Sequence, residues 1–460
     1  MSELTKNVKE NIVARHLDDP AGRYACYPSI MQFEQGFGDS GFVDAVRISN
    51  GDPIPRRLSL HVGVPDHFGL YPVENRIKVE QVDRSKAGAY LGRLVRQIAA
   101  IGCIFDRDRD VVQLSLSPGT TQFFDIDQIA EVVESISRNF HVISTSKRDF
   151  SVTIDPCDAR HGDLSALVEI GCNRVNFAFP RAGVSGDGTP KSVDAEPRGV
   201  VEACRSAGFR NVRIDLVYGG AHSKRDIFAN TLNAALDAKA DRIALRDCAH
   251  LPESFGSGSE QSLGTQDRAS MLVDAYKALL DAGFIHVGMD VFATKDDPLL
   301  VAKRQGRLYR DALGFGTHGE TDMVGFGVGA IQQIGGAYCR AMPYLREWGA
   351  AIDSGSYGIQ SGIRLSEDDI TRSAVIQSLT CQGFVDINSV ENTFGIDFNE
   401  YFCEEIDRLG LLIVDGLLVI ESGMLVLTPA GRLLSRAVSS CFDDYLHRTL
   451  EGAVTFRRQW

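Results

Sequence analysis

The sequence lacks any pair of cysteines close enough to share a loop. Its ten cysteines stand at 26, 103, 157, 172, 204, 248, 339, 381, 403 and 441, with no CxxC or CxxxC among them. Clusters and structural zinc draw several thiolates from one short loop, because neighbouring ligands cost little extra chain entropy to bring together. Contexts such as AIGCIF and SLTCQGF instead read these cysteines as small buried hydrophobes. Long apolar runs are also missing. No stretch approaches the roughly 20 apolar residues that span a bilayer, and the opening MSELTKNVKENIVARHLDD has no apolar secretory core. Basic surplus is absent too: 48 Lys and Arg against 61 Asp and Glu leave a net charge of -13. Such a surface is not built to neutralise nucleic-acid phosphates or anionic lipid. These absences point to a cytoplasmic protein without structural disulfides, with a small-molecule ligand and neither nucleic acid nor membrane as partner. They leave its oligomeric state open.

What is present is ordinary globular composition, 460 residues with 44% hydrophobic and 24% charged, enough for one large core and a smaller second one. From about residue 58, short apolar runs alternate with helical stretches. The runs RRLSLHVGVP, VVQLSLSPG, DFSVTIDP, RVNFAFP, NVRIDLVYG, DRIALRDC and HVGMDVFA begin near 57, 111, 149, 174, 211, 241 and 286. Helical periodicity marks 89–102, 125–140 and 226–239 between them. Repeated strand–helix alternation implies a parallel sheet with right-handed crossovers. Six or seven repeats predict an α/β fold, a full or partial (β/α) barrel, with ligands at the carboxyl ends of the strands.

The pattern changes after the glycine-rich stretch 314–336. Residues 366–383 predict a helix capped by Ser366, EYFCEEIDRLGLL another, GLLVIESGMLVLT a hairpin and PAGRLLSRAVSSCFDDYL a closing helix. This order suggests a mainly helical, winged-helix-like module. Lacking a basic stripe, it is expected to act as a lid or packing unit and not to bind DNA. The expected division is an N-terminal segment over 1–55 packing on the barrel, the barrel over 56–340, and the C-terminal domain over 341–460.

RYACYPSIMQF (23–33), RIDLVYGG (213–220), CAHLP (248–252), GMDVFA (288–293), GFGTHGETDMVGFGVGAI (314–331) and LTPAGRLL (427–434), in that order, resemble oxygen-independent coproporphyrinogen III oxidases of the HemN type. These are radical S-adenosylmethionine (SAM) enzymes, and the resemblance runs from about 20 to 450. It implies a radical-SAM-type barrel with a HemN-type C-terminal domain. In that family, the loop after the first barrel strand carries three cysteines that hold a [4Fe-4S] cluster. Here LHVGVPDHFGLYPVENRI (60–77) places His67, Tyr71 and Glu74 at those positions. Tyr and Glu suit a thiolate-held, low-potential cluster poorly. The expectation is therefore no [4Fe-4S] cluster and no radical coproporphyrinogen oxidation. Other SAM-contact positions differ as well: Ser117-Pro118-Gly119-Thr120 replaces a glycine-rich turn, Thr153 a glutamate, Pro180 a glutamine, Gly188 an arginine and His61 a tyrosine. Gly119, Thr120, Asp215, Val217, Ala249 and Ile331 remain as the cofactor-binding set that the resemblance implies for SAM.

His61, Asp66 and His67 crowd the end of the first strand. They read either as a new site, with a histidine base or ligands to one metal, or as replacements that face solvent; no metal is assigned. Asp215 at a strand end and His250 in CAHLP complete the candidate catalytic set. Glycines 325, 327 and 329 permit close backbone approach to a ligand. Glu74 and Arg76 read as a surface ion pair. The first functional expectation is a non-radical SAM-dependent enzyme, a transferase or lyase performing alkyl transfer or cyclisation. Two alternatives stand beside it: a non-catalytic haem or tetrapyrrole binder of porphyrin metabolism, and a silent partner of an intact coproporphyrinogen dehydrogenase.

Overall fold

The computed structural model describes residues 8–18, 27–65, 84–144, 148–156, 164–179, 196–220, 225–250, 262–319 and 321–448. Its strands are β1 (Arg57–Val62), β2 (Asp110–Leu116), β3 (His141–Val142), β4 (Asp149–Thr153), β5 (Arg174–Phe179), β6 (Asn211–Tyr218), β7 (Arg242–Asp247), β8 (Ile285–Gly288) and β9 (Val291–Ala293). There follow β10 (Tyr309–Asp311), β11 (Gly314–Gly316), β12 (Thr321–Phe326), β13 (Ile331–Ile334), β14 (Ala337–Ala341), β15 (Ile359–Arg364), β16 (Phe384–Asp386), β17 (Leu418–Glu421) and β18 (Met424–Leu427).

The main sheet runs β15-β14-β13-β12-β1-β2-β4-β5-β6-β7-β9-β8, with β3 beside β2. The block from β12 to β7 is parallel throughout. Antiparallel strands flank it at both ends, and β15 is not paired with β8, so the barrel is partial, as expected. Alternation builds each wall. In β6, Val212, Ile214 and Leu216 are buried beneath the helices Pro197–Ala207, Arg225–Asp237 and Thr265–Asp281, while Arg213, Asp215 and Val217 line the inner face half-buried. Each such buried aliphatic contributes about 1.5–3 kcal/mol.

The crossover helices start and stop on local signals. Ile126–Asn139 opens on a capping box between Asp125 and Gln128. Pro197–Ala207 has Pro at its first turn and ends on Gly208 at φ 107°, a left-handed conformation that costs glycine least. The floor is closed by Arg109, which donates to Asp322 at 2.5 Å and to the Arg56 carbonyl at 2.7 Å, both members of the ion pair being buried.

Two segments depart from the sequence expectation. HVGMDVFA is two strands, β8 and β9, paired antiparallel around a reversal in which Met289 takes φ 49°. The glycine-rich stretch contains β12, a barrel strand that pairs in parallel with β1. Its glycine content hides the apolar alternation. At Gly325 a Cβ would lie 2.5 Å from the Ile331 carbonyl oxygen, so no larger residue fits there.

After β15, the antiparallel sheet β16-β18-β17 packs with the helices Glu367–Gln377, Ile387–Phe394 and Cys403–Val414 in a winged-helix arrangement. Ser366 caps the first of these, as expected. The closing helix is interrupted: Pro429–Leu433 ends at Leu434 (φ -102°, ψ 27°) and Ser435–Ser440 follows. No described helix is long and apolar enough to cross a membrane.

Candidate functional site

The carboxyl ends of the parallel strands gather the expected residues unevenly. His61 lies on β1 in register with Gly325 and Ser115 and is only 3% exposed, so the expectation of a solvent-facing replacement fails for it. Asp66 and His67 lie outside the described residues, as do Tyr71, Glu74, Arg76, Pro180 and Gly188. His250 closes the short 3-10 turn Cys248–His250 beyond β7. Among the described residues, no three His, Cys, Asp or Glu side chains group as metal ligands.

The turn after β2 is built on Gly119 at φ 85°, which leads into the short helix Thr120–Phe123. Thr120 is buried and donates its hydroxyl to the Ser117 carbonyl at 2.7 Å, so that group fixes the turn. Ala249 donates its backbone N–H to the Asp247 carboxylate at 2.9 Å. Ile331 is buried at the start of β13, its carbonyl against Gly325. Val217 stands in register with Arg246 across β6 and β7. Of the implied SAM set, Gly119, Thr120 and Ala249 are thus engaged in local turns beyond β2 and β7.

Asp215 is the exception. Arg213 donates to one of its oxygens at 2.6 Å, and the Arg246 guanidinium lies 3.7 Å from the other. Arg246 also donates to Asp290 at 2.7 Å, and Arg436 from the helix Ser435–Ser440 reaches Asp290 at 3.3 Å. The result is a chain of alternating charge, Arg213–Asp215–Arg246–Asp290–Arg436, drawn from β6, β7, the β8–β9 reversal and the C-terminal module. Burial raises the Asp290 carboxyl, but the field of Arg246, Arg436, Arg310 and Arg213 outweighs it and holds the group well below the usual carboxylate range. Burial likewise works against the charge on Arg246, and Asp215 and Asp290 more than restore it. Both oxygens of Asp215 thus face guanidiniums, one from its own strand and one from β7.

Sequence reasoning missed Arg213, Arg246, Asp290, Arg310 and Arg436. Part of the signal was available: Arg213 and Asp215 share a face by strand alternation, and both interrupt an otherwise apolar run. Asp290 and Arg436 could not be joined to them, because their contact depends on how the module docks.

The described cysteines occupy other places. Cys103 and Cys403 are exposed, and Cys172, Cys204, Cys248, Cys339, Cys381 and Cys441 are buried. Burial pushes the thiols of Cys172, Cys204 and Cys381 up to about 12. A protonated thiol is neither a nucleophile nor a metal ligand.

The family described as the HemN C-terminal domain matches residues 365–434. The oxygen-independent coproporphyrinogen III oxidase of Pseudomonas aeruginosa is 32% identical over 94% of this chain and 95% of its own length. The enzyme of the same name from Salmonella typhimurium is 32% identical over 93% of each chain, and that of Escherichia coli 30% identical over the same shares. A solved structure, described as coproporphyrinogen III oxidase (HemN) from Escherichia coli, a radical SAM enzyme, superposes with a TM-score of 0.80 at 29% identity, covering 92% of this chain and 97% of that one. Taken with the partial barrel and its winged-helix-like module, these matches establish that the chain belongs to the oxygen-independent coproporphyrinogen III oxidase family.

Proposed function

We propose that this chain is a cluster-free member of its family, one that holds a ligand of porphyrin metabolism in the partial barrel without reductive cleavage of SAM. The observation that carries the reading is the donor set after β1. No cysteine occurs between Cys26 and Cys103, and the residues at the implied cluster positions are His67, Tyr71 and Glu74. A [4Fe-4S] cluster needs several closely spaced thiolates, and the thiols at 172, 204 and 381 are both distant in sequence and driven toward their protonated form. The residues present do not fit the cluster, so no radical step is assigned to this chain.

A polar, SAM-dependent transfer or cyclisation is the second reading. The Gly119–Thr120 turn and the close-packed glycines at 325 and 327 favour it, since they keep the floor on which the family seats SAM. The engagement of Asp215 by Arg213 and Arg246 favours the tetrapyrrole reading over it, because a carboxylate already balanced by two guanidiniums has little left to offer SAM's cationic groups.

The test pairs two assays on the full chain. After supply of iron and sulfide, anaerobic incubation with SAM and dithionite is followed by chromatography for 5′-deoxyadenosine, and coproporphyrin III is titrated by fluorescence. The expected result is no 5′-deoxyadenosine above the protein-free control, together with saturable porphyrin binding. Formation of 5′-deoxyadenosine overturns the cluster-free reading. Absence of porphyrin binding overturns the ligand, and calorimetric binding of SAM in its place supports the second reading.

A further inference from the structure

The module's sheet β16-β18-β17 ends on β17, and its register fixes which backbone groups that edge presents. Thr428 donates to the Leu417 carbonyl at 2.9 Å, and Val419 and Glu421 stand opposite Val426 and Met424. Alternation therefore turns the N–H and C=O groups of Leu418 and Ile420 outward. Among the described residues, no backbone group answers them there. The edges of the main sheet are treated differently: Glu34 exchanges both backbone bonds with Gly362 on β15, and Lys303 donates to the Val287 carbonyl on β8. β17 also lacks the usual devices against edge pairing, for LVIE has no lysine or proline and its ladder to β18 has no bulge.

The exposed apolar surface follows the same edge. Phe384 on β16, Val426 on β18 and Val419 on β17 are cross-strand neighbours in one row, with Phe384 40% and Val419 42% exposed. Ile420, next along β17, is 41% exposed, and the helix Cys403–Val414, which leads into β17, leaves Leu411 58% and Val414 83% exposed. An apolar row that stops at an open backbone edge is the surface that a further strand extends.

We propose that β17 pairs antiparallel with β17 of a second copy, about a twofold axis at Val419, so that the module's sheet continues through a homodimer. The inference goes beyond the ligand reading and does not depend on it. With Val419 opposite its own copy, Leu418 of each chain faces Ile420 of the other, and the outward N–H and C=O groups of both residues find partners. The apolar row then runs from Phe384 of one chain to Phe384 of the other. Glu421 is carried opposite Leu417 of the other copy, which leaves the two Glu421 residues about 13 Å apart, beyond a Debye length of about 8 Å at physiological salt. Setting Ile420 against Ile420 instead halves that separation and calls on Ser422, at φ 51°, as a strand residue. This self-complementarity selects a second copy as the partner. A stable interface buries about 800 Å² on each side, more than the short β17 supplies, so the dimer also needs the exposed end of the helix Cys403–Val414.

The test is sedimentation velocity of the full chain over a range of concentrations, with residue-resolved amide exchange above and below the transition. The wild type should be dimeric at about 100 μM and dissociate on dilution. On dissociation the amides of Leu418 and Ile420 should lose protection, while those of Val419 and Glu421, which face β18, keep theirs. Val419→Lys sets two ammonium groups across the axis and should weaken the dimer at least about tenfold. An equimolar mixture of Val419→Lys and Val419→Glu should recover association, because opposite charges then meet. Ile420→Pro removes an outward N–H without touching the ladder to β18 and should weaken the dimer likewise. A wild type that stays monomeric at about 100 μM overturns the proposal. So does a dimer that both single variants leave intact, a mixture no tighter than Val419→Lys alone, or protection of Leu418 and Ile420 in the monomer, where another part of the chain would cover the edge. Should Val419→Lys not fold, as judged by circular dichroism, Ile420→Pro and the wild-type exchange pattern decide.

Discussion

Asp443, in the C-terminal module, is 3% exposed and accepts the backbone N–H of Leu446 at 2.9 Å. Burial pushes its carboxyl up to about 6, helped by the charge of Asp444 and opposed by its hydrogen bonds and Arg372. An unfolded aspartate titrates near ~3.9, so between these values the native state holds the additional proton. Stability from this group is therefore full below the unfolded value and is lost as pH rises through about 6. Asp443→Asn removes the titration. Relative to that variant, the wild type should lose about 2–3 kcal/mol of unfolding free energy between mildly acidic and neutral pH, measured by urea titration. A pH-independent difference would contradict the account. Such residue-level facts were hidden in the sequence, where Asp443 is one of three consecutive residues in FDD with nothing to distinguish buried from exposed. Ser366 was legible, because a cap acts on its own helix: its side chain accepts from Asp369, whose carboxylate returns the bond.

Elements whose burial follows from local alternation were legible; those shaped by close packing were not. β6 declared itself through Val212, Ile214 and Leu216, and β2 through Val112, Leu114 and Leu116. β12 was obscured by Gly325 and by the glycines that follow it. Gly327 shows why they are there. It adopts φ 101°, and a Cβ on it would lie 2.5 Å from the Gly63 carbonyl and still closer to the Tyr90 hydroxyl. That hydroxyl donates to the same Gly63 carbonyl at 2.8 Å and accepts from Val328, locking the end of β12 to the end of β1. Gly327→Ala should cost about 3 kcal/mol through strain and displacement of this lock. Chemical denaturation measures the loss, and a variant as stable as the wild type would show that the loop relaxes freely. The candidate site was half legible for the same reason. Asp215 follows from its strand position, but its partners Arg246, Asp290 and Arg436 come together only through strand register and module docking.

At the scale of the whole molecule, the amino-terminal helix Glu10–Leu17 joins barrel to module. Ser270 donates to Glu10 on the barrel side at 2.6 Å, and on the other side Asp415 of the module meets Arg15 and, at 2.7 Å, His16. Asp415 is nearly enclosed, so replacing it leaves the cationic helix end against a surface that no longer answers it. Asp415→Ala should raise amide exchange in Glu10–Leu17 by about tenfold or more while β1, β6 and β7 keep their protection. Uniform loss across the barrel would mean that the helix is part of the global core and not a tie.

The order of motifs, the partial barrel and the C-terminal module all place this chain in its family. On the proposed reading, the segment after β1, with His67, Tyr71 and Glu74 at the implied cluster positions, separates it from the family's chemistry. Iron and acid-labile sulfide, measured on the full chain after anaerobic reconstitution and desalting, test that separation most directly. The account predicts neither element in stoichiometric amount and no cluster absorbance in the visible spectrum. Stoichiometric iron and sulfide, with the spectrum of a [4Fe-4S] cluster that bleaches on reduction, would contradict it.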